Sequence, residues 1–233
     1  MIPAIIVPTL TRYDLLAKLH ASIDVPWERF LVIDNGGSCP PMWKTTVLNL
    51  PGNLGVGSSW NLGMKLTPDV PWWCIVNDDV VFAPGDLAAL TAAMEAGEAL
   101  VTLDGFSAFG ISRATVQSVG YFDENFHPAY CEDADYEYRC KLAGVPIVTI
   151  PANLTHERSS TIALPEYGEQ NARTYPENVR YYRRKWGGPL RGGEVFNTPF
   201  DEGGDPDEWI GSHGRRVQQG WETTALEPTG DTR

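Results

Sequence analysis

The sequence predicts an α/β fold built on a mostly parallel sheet flanked by helices. Three observations carry that expectation. Short apolar runs alternate with helical patterns from the N-terminus onward. Most of these runs stop at Pro, Gly, Asn or Asp, the residues that turn a chain. The chain has 233 residues and 42% apolar composition, so it can bury a core of its own.

In chain order, residues 4–7 make the first strand candidate, ended by Pro8, and Thr11-x-x-Asp14 then reads as a capping box opening a helix with Leu15, Leu16 and Leu19 on one face. Residues 30–33 give a second strand that runs into Asp34-Asn35-Gly36-Gly37, and residues 45–50 a third, closed by Pro51-Gly52. Gly55-Val56-Gly57-Ser58-Ser59 leads into a helix through Leu62 and Leu66. The apolar run from Trp72 to Val76 follows as a buried strand. Residues 86–96 form a helix, 99–103 and 106–111 strands, and 114–119 a short helix. An acidic helix opens at Glu132-Asp133, with Tyr136, Cys140 and Ala143 on one stripe. Residues 147–150 make the last strand, and Pro165 to Trp186 holds a long aromatic and basic helix. Residues 1–187 are read as one domain and 188–233, rich in Gly, Pro, Asp and Glu, as an arm or partly disordered extension through which copies of the chain could associate.

Composition narrows the function. A formal net charge of −12 argues against sequence-independent binding to nucleic acid, which relies on Lys and Arg at phosphates. No apolar run approaches the roughly 20 residues needed to cross a bilayer. Residues 1–7 lack a basic leader and a cleavage site, so they read as a strand rather than a signal peptide, and a cytoplasmic location is expected. Cys39, Cys74, Cys131 and Cys140 show no C-x-x-C spacing, which favours neither a disulfide scaffold nor a zinc site.

Two carboxylate clusters remain to be given work. Asn77-Asp78-Asp79 ends the strand at Trp72 to Val76, an edge where open α/β sheets hold ligands. In an extended segment Asn77 and Asp79 would share a face and Asp78 would point away. A hard divalent cation bridging substrate phosphates needs only one or two protein carboxylates, which suits Asp79; an Asx-rich turn explains the same residues. Glu132 and Asp133 lie at the positive end of a helix dipole, which favours anionic side chains, whether as a reactive group or as a cap. Asp135 and Arg139 are four apart, the spacing of an intrahelical ion pair.

Taken together, Pro8-Thr9-x-x-Arg12, Val32-Ile33-Asp34-Asn35-Gly36, Asn53-x-Gly55-x-Gly57-x-x-x-Asn61, Asn77-Asp78-Asp79, Gly120-Tyr121-Phe122-Asp123-Glu124-x-Phe126 with Glu132-Asp133-x-Asp135-x-x-x-Arg139, and His156-x-x-Ser159-Ser160 follow one order over about residues 4–187. In that order the chain resembles the inverting glycosyltransferases of family 2, nucleotide-sugar enzymes with a GT-A fold. The resemblance implies a donor-binding half over about residues 1–103 and an acceptor half over about 104–187. It implies Pro8, Thr9 and Arg12 at the opening donor turn, and Asp34 at the imide N–H of uracil or thymine. Asn53, Gly55, Gly57 and Asn61 would border the donor, Asn77 and Asp78 the nucleotide, and Asp79 a Mn²⁺ or Mg²⁺ ion on the diphosphate. His156 would complete the metal shell as a neutral imidazole, and Asp133 would take the proton of a hydroxyl acceptor on a protein, oligosaccharide or small metabolite. Asn77 departs from the strict D-x-D form. The basic run Arg183-Arg184-Lys185 either faces the diphosphate or is a solvated helix face. Two other readings stay open at this stage: a nucleotidyltransferase-like enzyme, against which no Gly-rich run with Lys follows the first strand, and a non-catalytic carbohydrate-binding module, which needs no paired acidic clusters.

Overall fold

In a computed structural model, which describes residues 1–157, 161 and 163–201, the alternation resolves into β1 (Ile2–Thr9), α1 (Tyr13–Ser22), β2 (Trp27–Asp34), β3 (Thr46–Asn49), α2 (Val56–Leu66), β4 (Trp72–Val76), β5 (Val80–Val81), α3 (Asp86–Glu95), β6 (Leu100–Thr102), β7 (Ala108–Ser112), α4 (Arg113–Val119), α5 (Glu132–Leu142), β8 (Ile147–Thr149), β9 (Thr155–His156) and α6 (Pro165–Trp186). Seven strands make the central sheet in the order β3-β2-β1-β4-β7-β6-β8. β1 pairs in parallel with β2 from Ile2↔Trp27 to Thr9↔Asp34 and with β4 on its other side. β7 alone among these strands runs antiparallel to its neighbours, against β4 and β6. The sheet is therefore mixed and mostly parallel, the parallel part being what a βα-alternating sequence implies.

Side-chain alternation along the central strands feeds two cores, one on each face. In β1, Ile5 and Val7 join the cluster with Leu16, Leu19 and Leu90, while Ala4 and Ile6 join Trp60, Phe109 and Tyr136. In β4, Trp72, Cys74 and Val76 divide from Trp73 and Ile75 in the same way. Strands covered on both sides read as unbroken apolar runs, which is why residues 72–76 were legible. Each buried Val, Ile or Leu among them contributes about 1.5–3 kcal/mol. Gly63 lets α2 settle directly on β1, since a Cβ there would lie 2.4 Å from Ile6.

A third cluster joins α5 to α6 through Phe126, Tyr138, Tyr181, Tyr182 and Trp186. At its centre lies a buried charge network. Lys185 Nζ is 2.6 Å from both Asp123 Oδ2 and Asp135 Oδ1, Trp186 Nε1 donates to Asp135 Oδ1 at 2.9 Å, and Arg139 Nε donates to Asp135 Oδ2 at 2.8 Å. The Asp135–Arg139 pair is as the spacing predicted. Lys185 is not part of a solvated face and does not face the cavity described below, whereas Arg183 and Arg184 are exposed. The helical period carries Lys185 to the α5 side, where two carboxylates compensate its burial.

At the start of α1 a local expectation is also corrected. Arg12, not Thr11, is the N-cap of α1, and no side chain caps that helix. The four cysteines are buried free thiols. Residues 188–201 fold back rather than trailing away: Val195 and Phe196 donate backbone N–H groups to Trp186 O, and Tyr138 Oη donates to Phe196 O at 2.9 Å. Ser159, Ser160 and residues 202–233 lie outside the described residues. Among the described residues no helix is long and apolar enough to cross a membrane.

Candidate active site

The parallel strands β1, β2 and β4 end on one edge of the sheet, and β7, because it is reversed, begins on that edge. Val76 pairs with Ala108, so the turn at residues 103–107 joins the strand ends of β1 and β4. A cavity of about 540 Å³ opens there, walled on the far side by the start of α5 and by α6. Pro8, Thr9, Asn53, Gly55, Asn77, Asp78, Asp79, Asp133 and His156, all singled out in the sequence, line it.

Asn77 to Val80 form a turn closed by Val80 N–H to Asn77 O at 3.3 Å. The expected strand alternation therefore stops at Val76, and Asp78 lines the cavity beside Asn77 and Asp79 instead of pointing away. Thr9 Oγ1 donates to Asp78 Oδ2 at 2.5 Å. Burial pushes the Asp78 carboxyl up to about 7, with the adjacent Asp79 acting in the same direction.

β5 and β9 pair antiparallel with Val80 opposite His156, a two-stranded sheet that delivers the imidazole to Asp79. His156 Nε2 lies 3.2 Å from Asp79 Oδ1, and Nδ1 lies 2.8 Å from Asp104 Oδ2. Hydrogen bonding to Asp79, then to Asp104, raises the His156 pKa above its ordinary value despite partial burial. Two flanking carboxylates favour the protonated form of this ring relative to a free imidazole.

Gly55 holds φ +86, and a Cβ there would sit 2.8 Å from Pro128 O, so only glycine fits between α2 and residues 127–128. Asn53 Oδ1 accepts the Gly55 N–H at 2.8 Å. Four other predicted residues are not brought to the cavity. Gly57 abuts Glu132 and Phe122 in the helix packing. Asn61 is fully buried and clamps Phe122 through both its backbone N–H and its carbonyl. Arg12 pairs with Asp14 at 3.0 Å on the surface. Asp34 has no exposed surface; its carboxylate accepts from Tyr13 Oη (3.0 Å), Gly36 N–H (2.9 Å) and Cys39 N–H (2.7 Å), which fixes the turn that turns Asn35 toward the cavity.

Across from this wall, α5 begins in strained backbone. Tyr130 and Cys131 take φ +75 and +77, a region non-glycine residues rarely occupy, and Asn178 Nδ2 of α6 holds the carbonyls of Ala129 and Tyr130. Asp133 Oδ1 accepts the Ala134 N–H at 2.8 Å, and Oδ2 is 2.6 Å from Arg191 Nη2. Glu132 is 5% exposed, and its Oε2 has no hydrogen-bond partner among the described residues. Burial, then the Asp133 charge, pushes its carboxyl up to about 8, so burial outweighs the helix dipole that favoured an anion.

Glu132, Asn35 and Arg191, given no site role in the sequence, also line the cavity, together with Asp104 and the α6 residues Tyr167, Gln170 and Asn171. Arg191 sits in a Gly- and Pro-rich stretch with no local signal.

No three His, Cys, Asp or Glu side chains among the described residues form a metal cage. The Asp79–His156 pair fits the other kind of site, in which a cation takes one or two protein ligands and completes its shell with water and substrate phosphate.

No family model matches the chain. A galactofuranosyl glycosyltransferase from Leishmania donovani is 46% identical over 41 residues, 18% of this chain and 9% of that protein. Among solved structures, residues 1–349 of TarS from S. aureus superpose with a TM-score of 0.51 at 16% identity, over 64% of this chain and 58% of that one. The same TarS segment in complex with UDP-GlcNAc gives 0.50 at 16% identity over 64% and 56%, and a longer TarS structure 0.52 at 14% identity over 78% and 45%. The chain thus spans roughly half the length of these neighbours. What it shares with them is the GT-A-type fold, a mixed α/β sheet flanked by helices.

Proposed function

We propose that the protein is a glycosyltransferase that moves a sugar from a nucleotide-diphosphate donor, a UDP or dTDP sugar, to a hydroxyl acceptor with inversion at the anomeric carbon. The observation that carries this reading is the single cavity in which Asn77, Asp78 and Asp79 at the β4 end face Asp133 at the start of α5. A donor-side acidic turn and a carboxylate across the cleft from it are the two parts that inverting transfer needs. Binding of UDP and UDP-GlcNAc by TarS, whose fold this chain shares, supports the donor class.

On this reading Pro8, Thr9, Asn53, Gly55 and Asn77 border the nucleotide. Asp34 acts on base recognition through the turn it braces. Asp79 and His156 would hold a Mn²⁺ or Mg²⁺ ion, which when bound offsets charge on the departing diphosphate. Asp133 accepts the proton of the acceptor hydroxyl as that oxygen bonds to the anomeric carbon, on the face opposite the leaving group. Asp78, largely buried and bonded to Thr9, keeps the turn in shape without adding a full negative charge beside a diphosphate. The acceptor approaches between the 103–107 turn and residues 126–130. A cytoplasmic location and association through residues 188–233 belong to the same proposal.

The test is a panel of UDP, dTDP, GDP and ADP sugars with manganese, read by thermal shift and by nucleotide release. A donor present at 100 times its dissociation constant should add about 2.7 kcal/mol of stability. Asp133→Asn should retain donor binding and lose about 10²–10⁴-fold in transfer rate. A protein that binds none of the panel, or a product of retained configuration, would overturn the reading.

A further inference from the structure

The cavity is lined by five carboxyl side chains, Asp78, Asp79, Asp104, Glu132 and Asp133, yet Arg191 is the sole Lys or Arg that lines it among the described residues. That arginine stands outside the strand-and-helix framework, on the segment that follows α6. Its guanidinium is committed to two carboxylates of α5: Nη2 lies 2.6 Å from Asp133 Oδ2, and Nε lies 2.9 Å from Glu137 Oε2. With Asp133 Oδ1 already accepting the Ala134 N–H, both oxygens of that carboxylate are engaged. Glu137 lies one turn along α5, outside the cavity.

The backbone that carries Arg191 is held by hydrogen bonds, while its side chain reaches solvent. Glu194 accepts from Tyr182 Oη at 2.5 Å and from Gly192 N–H at 2.8 Å, and Val195 and Phe196 are hydrogen-bonded to Trp186. The Arg191 side chain is 57% exposed, against 31% for Asp133 and 34% for Glu137. Ion pairs this exposed contribute about 0–1 kcal/mol, so a stronger partner exchanges them readily. A diphosphate is such a partner, because a guanidinium fork binds phosphate oxygens with two parallel charge-assisted bonds.

We propose that Arg191 is an exchangeable cation of the site: it pairs with Asp133 and Glu137 while the cavity lacks a nucleoside diphosphate, and turns to the diphosphate when one binds, freeing Asp133 Oδ2. This deepens the transferase reading and rests on it. Arg191 is then a binding residue for the donor and a positioning residue for Asp133, and donor arrival precedes base release. Energetically, the ligand draws on its differential contact with the two arginine positions, the condition for any ligand to shift such an equilibrium.

Calorimetry on the full chain with manganese, using UDP and uridine as probes, tests this. Arg191→Ala should weaken UDP by about 10–100-fold and leave uridine unchanged, the loss expected for a charge-assisted bond. Arg191→Lys should recover part of it. Glu137→Gln removes the competing carboxylate outside the cavity, so it should tighten UDP by about twofold to fivefold, and that gain should vanish in the Arg191→Ala background. A merely structural clamp predicts the opposite sign for Glu137→Gln, and that result would refute the exchange. Equal UDP affinity in wild type and Arg191→Ala, or parallel loss of uridine, also overturns it while leaving the transferase reading standing. Wild-type protein that binds neither UDP nor any other nucleoside diphosphate removes both.

Discussion

Replacing Glu132 with Gln should change how stability depends on pH, by an amount the structure sets. In the folded protein the carboxyl stays protonated up to about 8, against an ordinary value of 4.5, chiefly because it is buried. The unfolded chain releases this proton near its ordinary value, so between the two values the folded state binds more protons. Stability therefore falls as pH rises across that window. At about 1.4 kcal/mol per unit, a window of roughly three units makes the ionisation penalty about 3–5 kcal/mol at its alkaline end. Glutamine keeps the shape of the neutral acid and cannot ionise. In urea unfolding, Glu132→Gln should match wild type or fall slightly below it at pH 5, and overtake it progressively toward pH 8.5. Asp78 imposes the same sign on both proteins, so the difference between them isolates Glu132. A stability difference that is flat across this range would refute a buried neutral carboxyl at the start of α5.

Asp79→Ala should abolish the manganese dependence of UDP binding while the circular dichroism spectrum stays that of a folded protein; unchanged manganese dependence by calorimetry would remove Asp79 from the metal site. Because Asp79 and Asp104 raise the His156 pKa, protons compete more strongly with a cation for the Asp79–His156 pair, so manganese-supported UDP affinity should rise with pH as His156 loses its proton, and lose that rise in His156→Asn. Flat affinity in the wild type would contradict the role. Lys185→Met should cost about 3–5 kcal/mol in urea unfolding, since it leaves Asp123 and Asp135 buried without their cation, and a loss under 1 kcal/mol would mean that the network is not the anchor of α6.

The parts of this molecule that were legible in its sequence are those fixed by local pattern. Residues 72–76 announce a doubly covered strand by being apolar without a break, and Pro165 to Trp186 announces its helix by Pro at the start and Gly after the end. Asp79 and His156 stood out because they follow strands and Asp133 because it opens a helix, and all three line the cavity. What escaped was decided by pairing partners far away in sequence. Nothing local says that β7 runs antiparallel, or that two residues at 80–81 will pair with 155–156. Asn77 to Asp79 read as extended because strand periodicity was carried one turn too far. Asn61 and Gly57, expected near the donor, serve the packing of α2 against residues 122–132, a role set by contacts some 60 residues away. Lys185 looked like one of three equivalent basic residues, and only the position of α5 distinguishes it.

The reversed strand β7 sends its outgoing end, like the incoming turns of β6 and β8, to the rim of the sheet opposite the cavity. Gly97 and Gly144 stand on that rim with left-handed backbone and open space where a side chain would be. Exposed turns of this kind accept inserted sequence with little loss. A reporter or an affinity handle spliced after Gly97 would therefore hang from the rim of the sheet opposite the cavity. Tethered through it, a layer of this protein would present every cleft away from the support, open to the surrounding solution.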